Sequence, residues 1–248
     1  MNADNFNYCE YYFKQAIKLI VYCYHKLKTE KTLKPYSRIE IHKLIKQIKG
    51  SEIAHNDIED YLRNDLVNNY LKISRHQFDL EFFNIQAGAE VSKQNVPIGI
   101  VDIQFIQYSA SSLHEPTYIF ECKILNKYTK YLYGYINEGI NRFITRKYYS
   151  EANVPFAGMI AFVTVDLHKH PRGFKSIEQI FFDLKKLIKS NNISNLIDNM
   201  EQYLLSDNEH KEISTFKHSY LSKHKRQDDN YIFNIHHLLL DYYNILIS

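Results

Sequence analysis

A chain of 248 residues that is 45% apolar has the material for one sizeable domain with a packed core. Its 31 basic residues against 28 acidic ones, a formal net charge of +3, are too evenly balanced to argue for nucleic acid by charge alone. Cys9, Cys23 and Cys122 lack both the even number of a disulfide framework and the spacing of a zinc site. No window reaches the roughly 18 apolar residues that span a bilayer. The opening MNADNFNYCEYY has neither the basic nor the apolar region of a signal peptide, so the chain reads as cytoplasmic with no membrane partner. Glycine-rich phosphate loops, HExxH, GxSxG and paired Cys-x-x-Cys are absent, which sets aside the commonest NTPase, metalloprotease, serine hydrolase and zinc-finger readings.

The first fifty residues are helical in pattern. Phe13, Ile17, Ile20, Tyr24 and Leu27 form one apolar stripe, Pro35 interrupts it, and a second short helix runs to Gly50. Lysines 26, 28, 31, 34, 43, 46 and 49 with Arg38 make this stretch locally basic, as a solvated helical face would be. Ser51 can cap a third helix, SEIAHNDIEDYLRNDLVNNYL. The period then changes. DLEFFNIQ, GIVDIQFIQY and TYIFECKIL are rich in β-branched and aromatic residues and read as strands. A helix follows with Tyr133, Ile136, Ile140, Phe143 and Ile144 on one face, then AGMIAFVTVD as a strand buried on both faces. SIEQIFFDLKKLIKS and ISNLIDNMEQYLL read as helices and SDNEHKE as a loop, with HSYLSKH and IFNIHHLLLDYY closing the chain. This order predicts an α/β domain with an N-terminal helical extension, divided at residues 1–49 and 50–248.

The strand YIFECKIL carries opposite charges inside an apolar run. Alternation puts Ile119, Glu121 and Lys123 on one face and Tyr118, Phe120, Cys122 and Ile124 on the other. Residues 109–116 suit a hairpin loop, so the strands on either side should pair antiparallel. Pairing symmetric about that loop puts Asp102 opposite Lys123 and diagonal to Glu121, on one face. Two converging carboxylates suit a hard divalent cation, and a lysine beside them could serve a water and a phosphate under attack. An ordinary cross-strand salt bridge is the structural alternative. The D/E-x-K spacing also occurs at Asp183 with Lys185 and at Glu209 with Lys211, but in a helical pattern and a polar loop.

VPIGIVDI followed by YIFECK resembles the PD-(D/E)xK nuclease superfamily, with Asp102 in place of the motif's Asp and Glu121-Cys122-Lys123 in place of its (D/E)xK. The chain departs from the pattern at Val101, where the family usually has Pro. NEGINRFITRKYYS resembles the helix that follows the motif in many bacterial members, and VPFAGMIAFV the strand after it. SYLSKHKR and IHHLLLDYY resemble the tail of defence-associated members, so the likeness spans roughly residues 50 to 243.

The resemblance implies a restriction-endonuclease-like core of four strands in a mixed sheet flanked by helices, and hydrolysis of phosphodiesters. Asp102 and Glu121 would hold Mg²⁺ or Mn²⁺, and Lys123 would serve the attacking water. Glu90, in the run AGAEV, is favoured as the additional carboxylate over Glu52 and Glu59, which share a helix face. Arg142, His224 and Arg226 are candidates for contacting nucleic acid. The function implied is a DNA endonuclease in a bacterial antiviral or restriction system, working as a homodimer or with an activating partner protein. The alternative is a catalytically silent module of the same fold that binds nucleic acid or a partner subunit.

Overall fold

The computed structural model describes residues 3–50, 55–93, 96–107, 117–145, 147–148, 154–164, 175–190 and 195–247. Helix α1 (Ala3–Leu33) buries the whole stripe from Phe13 to Leu27. After Pro35 comes the two-residue strand β1 (Tyr36–Ser37), and Ser37 then caps α2 (Arg38–Lys49) by accepting from the Glu40 amide. Gly50 ends α2 in the left-handed conformation, φ 65°, which a glycine adopts without strain. Helix α3 (His55–Leu66) continues through a π-turn (Val67–Leu71) and short turns at Lys72–Ser74 and Arg75–Phe78. The expected cap at Ser51 lies outside the described residues.

The sheet has seven strands, three more than the resemblance implies. In chain order they are β2 (Phe83–Lys93), β3 (Val96–Gln107), β4 (Thr117–Leu125), β5 (Phe156–Val163), β6 (Leu196–Gln202), β7 (Ser219–Lys225) and β8 (Ile232–Asp241). Their spatial order is β2-β3-β4-β5-β8-β7-β6. Strand β3 is antiparallel to both β2 and β4, while β4, β5 and β8 run parallel, and β7 is antiparallel to both β8 and β6. The sheet is therefore mixed. Every residue of β5, at its centre, is buried, as its continuous apolar run requires.

Two faces of the sheet carry two cores. On one, Phe13 of α1 stacks at 5.4 Å on both Phe120 and Phe156, and α3 adds Ile58, Leu62 and Leu66. On the other, a helix from Thr129 to Ile144 and a helix from Ile177 to Ser190 cover Val101, Ile119, Met159 and Ala161. Helices α1 and α2, within the stretch expected as an N-terminal extension, thus contribute the stripe from Phe13 to Leu27, with Ile41 and Ile45, to the first of these cores. β1 also pairs in parallel with β9 (Leu246–Ile247), tying α1 and α2 to the last residues described.

Three expectations need correction. DLEFFNIQ marks only the start of β2, which begins at Phe83 and runs through AGAEV. ISNLIDNMEQYLL contains the strand β6, not a helix. Its Leu196, Met200 and Leu204 fit a helical period, but the open edge of β7 offers a backbone ladder, and β6 takes it with two register irregularities. In the helix after β4, Tyr133 is exposed while Ile136, Ile140, Phe143 and Ile144 are buried. A π-turn over Tyr135–Ile140, between segments Thr129–Gly134 and Asn141–Ile144, re-phases the helix and breaks the expected stripe. Among the described residues no helix is long and apolar enough to cross a membrane.

Candidate active site

The site begins where two strands part. The β3–β4 ladder is antiparallel and extends from Ile106↔Thr117 to Ile103↔Phe120, where it stops. Carried one step further, this register brings Asp102 level with Glu121, not with Lys123 as symmetric pairing implies. Beyond it the inward N–H groups of β4 need other acceptors, since a buried unpaired N–H is costly. Two carboxylates supply them. Asp102 Oδ2 accepts from the Cys122 amide at 2.7 Å, and Glu59 Oε2, reaching over from α3, accepts from the Ile124 amide at 2.9 Å. The parting of the strands thus draws acidic side chains from two other elements onto the rim of β4.

Three cations balance them. Lys123 Nζ lies 2.8 Å from Glu121 Oε1, 3.1 Å from Glu59 Oε1 and 3.8 Å from Asp102 Oδ2. Arg63, one helical turn beyond Glu59, pairs with Asp102 Oδ1 at 2.7 Å and Asp60 at 2.8 Å. Arg142 reaches Glu121 Oε1 at 2.6 Å, and the Tyr148 hydroxyl donates to Glu121 Oε2 while accepting from Arg142. Glu121 is 0% exposed, and each of its oxygens has a donor.

Two glycines allow this crowding. Gly88 on β2, at φ 64°, leaves room for Arg63, whose Nη2 would sit 3.1 Å from an added Cβ. Gly139 lets the helix approach β4 and β5 closely, since a Cβ there would lie 2.4 Å from Met159 Cε and 3.8 Å from Lys123 Cγ. Gly134, from which the same role could be expected, faces open space.

Burial and the charge of Asp102 push Glu121 up to about 8, against the pull of Lys123 and Arg142. Burial likewise raises Glu59. Burial pulls the Lys123 ammonium down, but Glu121, Glu59 and Asp102 outweigh it and raise it overall. Glu121 thus keeps a proton more readily than an ordinary carboxyl, while Lys123 and Arg142 limit that rise, and the half-exposed Asp60 on Arg63 adds a fourth acid to the three bases of the cluster.

The structure therefore brings together Asp102, Glu121, Lys123 and Arg142. Glu59, weighed behind Glu90, joins them, whereas Glu90 is exposed opposite Ile100 on β2 and has no ion pair with the cluster among the described residues. Glu52 lies outside the described residues. His224 and Arg226 are elsewhere. His224 is buried against Ser222, and Arg226 is buried with its guanidinium over the rings of Tyr231 and Phe233 and a bond to the Val154 carbonyl. Neither is placed to meet a substrate. Sequence reasoning missed Arg63 and Tyr148. The signal for Arg63 was present, since Glu59 and Arg63 fall on the same helix stripe as Ile58, Leu62 and Leu66, where charged residues are out of place unless paired.

The donor set fits magnesium or manganese in kind, being oxygens of three carboxylates. In this arrangement, however, ammonium, guanidinium, hydroxyl and amide donors occupy those oxygens, and among the described residues no three His, Cys, Asp or Glu side chains are gathered as a metal cage. Comparison with protein-family models, curated proteins and solved structures finds no match to this chain.

Proposed function

We propose that the chain is a metal-dependent phosphodiesterase of the PD-(D/E)xK type, a DNA endonuclease of a bacterial antiviral or restriction system. The observation that carries the reading is the convergence of Asp102, Glu121 and Lys123, joined by Glu59, on the rim where β3 and β4 part. A neutral salt-bridge pair would not need four elements to contribute charges to one buried point. In this reading Asp102 and Glu121 hold Mg²⁺ or Mn²⁺, which would supply charge neutralisation at the scissile phosphate and a more acidic water. Lys123, anchored by Glu59, holds its ammonium at the same rim, where it orients that water and stabilises developing negative charge. Asp102 is itself oriented by Arg63 and by the Cys122 amide, so its position is built in before substrate arrives.

One observation favours a second reading. All six oxygens of Glu59, Asp102 and Glu121 already accept from protein donors, which is how a silent module that binds nucleic acid or a partner subunit would stabilise a retired site. Supercoiled plasmid, single-stranded DNA and RNA incubated with Mg²⁺, Mn²⁺ or EDTA separate the two. Metal-dependent cutting identifies the substrate and supports the nuclease. Binding of these nucleic acids without cutting, under every ion and with a second copy or genomic partner added, sinks it in favour of the module.

A further inference from the structure

Arg142 differs from the other two cations of the cluster. Lys123 is held by three carboxylates and the Cys122 carbonyl, and Arg63 by Asp60 and Asp102, and their side chains are only 12% and 7% exposed. The Arg142 side chain is 29% exposed, pairs with a single carboxylate among the described residues, and stands in the last turn of its helix. Its other partner, Tyr148, lies just past the end of that helix and holds the second oxygen of the same carboxylate. Arg142 and Tyr148 together therefore close Glu121 from the solvent side. Lys123 already stands on the same Oε1, so Arg142 adds a second cation there while the Tyr148 hydroxyl covers Oε2.

We propose that Arg142, steadied by Tyr148, is a built-in counter-ion that occupies on Glu121 the place a divalent cation takes, and that it swings off Glu121 when the cation binds. The inference rests on the metal-dependent reading of the site. It gives Arg142 two successive partners of the same geometry, because a planar guanidinium pairs as well with phosphate oxygens as with a carboxylate. Its long stem allows the change, and with Arg142 and Tyr148 off Glu121 the helix end and the residues up to Tyr148 lose their anchor on β4. The loaded site would then present to a nucleic-acid phosphate the cation that closes the unloaded one, so metal and substrate binding would favour each other.

The test is calorimetric titration of Mn²⁺ into the full chain as wild type, Arg142→Gln and Tyr148→Phe, with amide hydrogen exchange of the Arg142–Tyr148 segment read with and without the ion. Two protons that bridge this segment, from Thr145 to the Asn141 carbonyl and from Lys147 to the Arg142 carbonyl, report its release. Arg142→Gln is expected to bind Mn²⁺ at least ~5-fold more tightly than wild type, and Tyr148→Phe to move in the same direction by less. In wild type the ion is expected to speed exchange in the segment. Mn²⁺ affinity unchanged or weakened in Arg142→Gln, or exchange unchanged or slowed on binding, overturns the inference while leaving the metal site standing. If Arg142→Gln does not fold, Tyr148→Phe and the wild-type exchange decide alone. Absence of Mn²⁺ binding by every protein overturns the metal reading, and the inference with it.

Discussion

Two polar clusters are buried in one sheet and are built in opposite ways. At the β3–β4 parting, three carboxylates and three cations arrive from α3, β3, β4 and the helix after β4. On the β7–β8 side a neutral chain runs from the Tyr135 hydroxyl to His237 Nδ1 at 2.9 Å, from His237 Nε2 to Ser222 at 2.6 Å, and from Ser222 to His224 at 2.6 Å. A serine has one hydroxyl proton, so Ser222 donates to one histidine and accepts from the other, and the chain satisfies itself without any charge. Burial pushes His237 well below its ordinary range, which keeps it neutral. The neutral chain is what a core does with polar groups it only needs to satisfy. The charged cluster spends desolvation energy that packing alone does not require, and such excess is characteristic of sites kept for chemistry.

The comparison can be sharpened by removing one member from each cluster. Lys123→Met leaves Glu59, Asp102 and Glu121 without their shared cation. It is expected to cost about 3–5 kcal/mol in denaturant unfolding with EDTA present, and part of that loss should return with Mg²⁺. A loss that Mg²⁺ leaves untouched would mean the cluster is only an ion-pair network. Ser222→Ala removes one partner from each of two buried histidines and should cost about 1–3 kcal/mol, with no response to Mg²⁺ at all.

Acid should also be felt at a third buried histidine, His236, which lies on the other face of β8 against Phe13 and Tyr203. Burial, aided by Lys14, pushes His236 down to about 3, whereas in the unfolded chain it titrates near its ordinary 6.5. Because the folded value is the lower one, the unfolded chain binds the proton more readily. Stability is thus complete above about pH 6.5 and falls as pH drops below it, by about 2 kcal/mol at pH 5 from this residue alone. Thermal unfolding of wild type beside His236→Phe from about pH 7.5 to 4.5 checks this, because Glu59 and Glu121, raised in the fold, act in the opposite direction in both proteins alike. A difference between the two midpoints that does not change with pH counts against neutral burial. The smallest effect concerns the two glycines of the motif-following helix. Gly134→Ala, with open space around it, should stabilise by about 1 kcal/mol, whereas Gly139→Ala must displace the end of Met159 and should not.

The parts of this architecture legible in sequence were those governed by local period. The stripe from Phe13 to Leu27, the stop at Gly50, the strand TYIFECKIL and the doubly buried β5 follow from spacing and turn chemistry, and all four stand where expected. The helix expected over Leu196–Gln202 failed because a free strand edge outweighed local period. The extra width of the sheet depends on that same long-range pairing. In the site, the faces of β4 were legible from alternation, and so was the nearness of Asp102 to Glu121 and Lys123. The choice of Glu59 over Glu90 at the cluster was not, because it depends on the ladder ending at Ile103↔Phe120 and baring the Ile124 amide, a break that no strand pattern signals.

The central claim is that the charged cluster performs chemistry the neutral one does not. Cleavage of supercoiled plasmid with Mn²⁺ or Mg²⁺ by wild type, Glu121→Ala and Ser222→Ala, compared at equal folded fraction, tests it most directly. The account expects cutting by wild type and by Ser222→Ala, abolished by EDTA, and lowered at least ~100-fold in Glu121→Ala. Equal cutting by Glu121→Ala and wild type, whatever its rate, would contradict it.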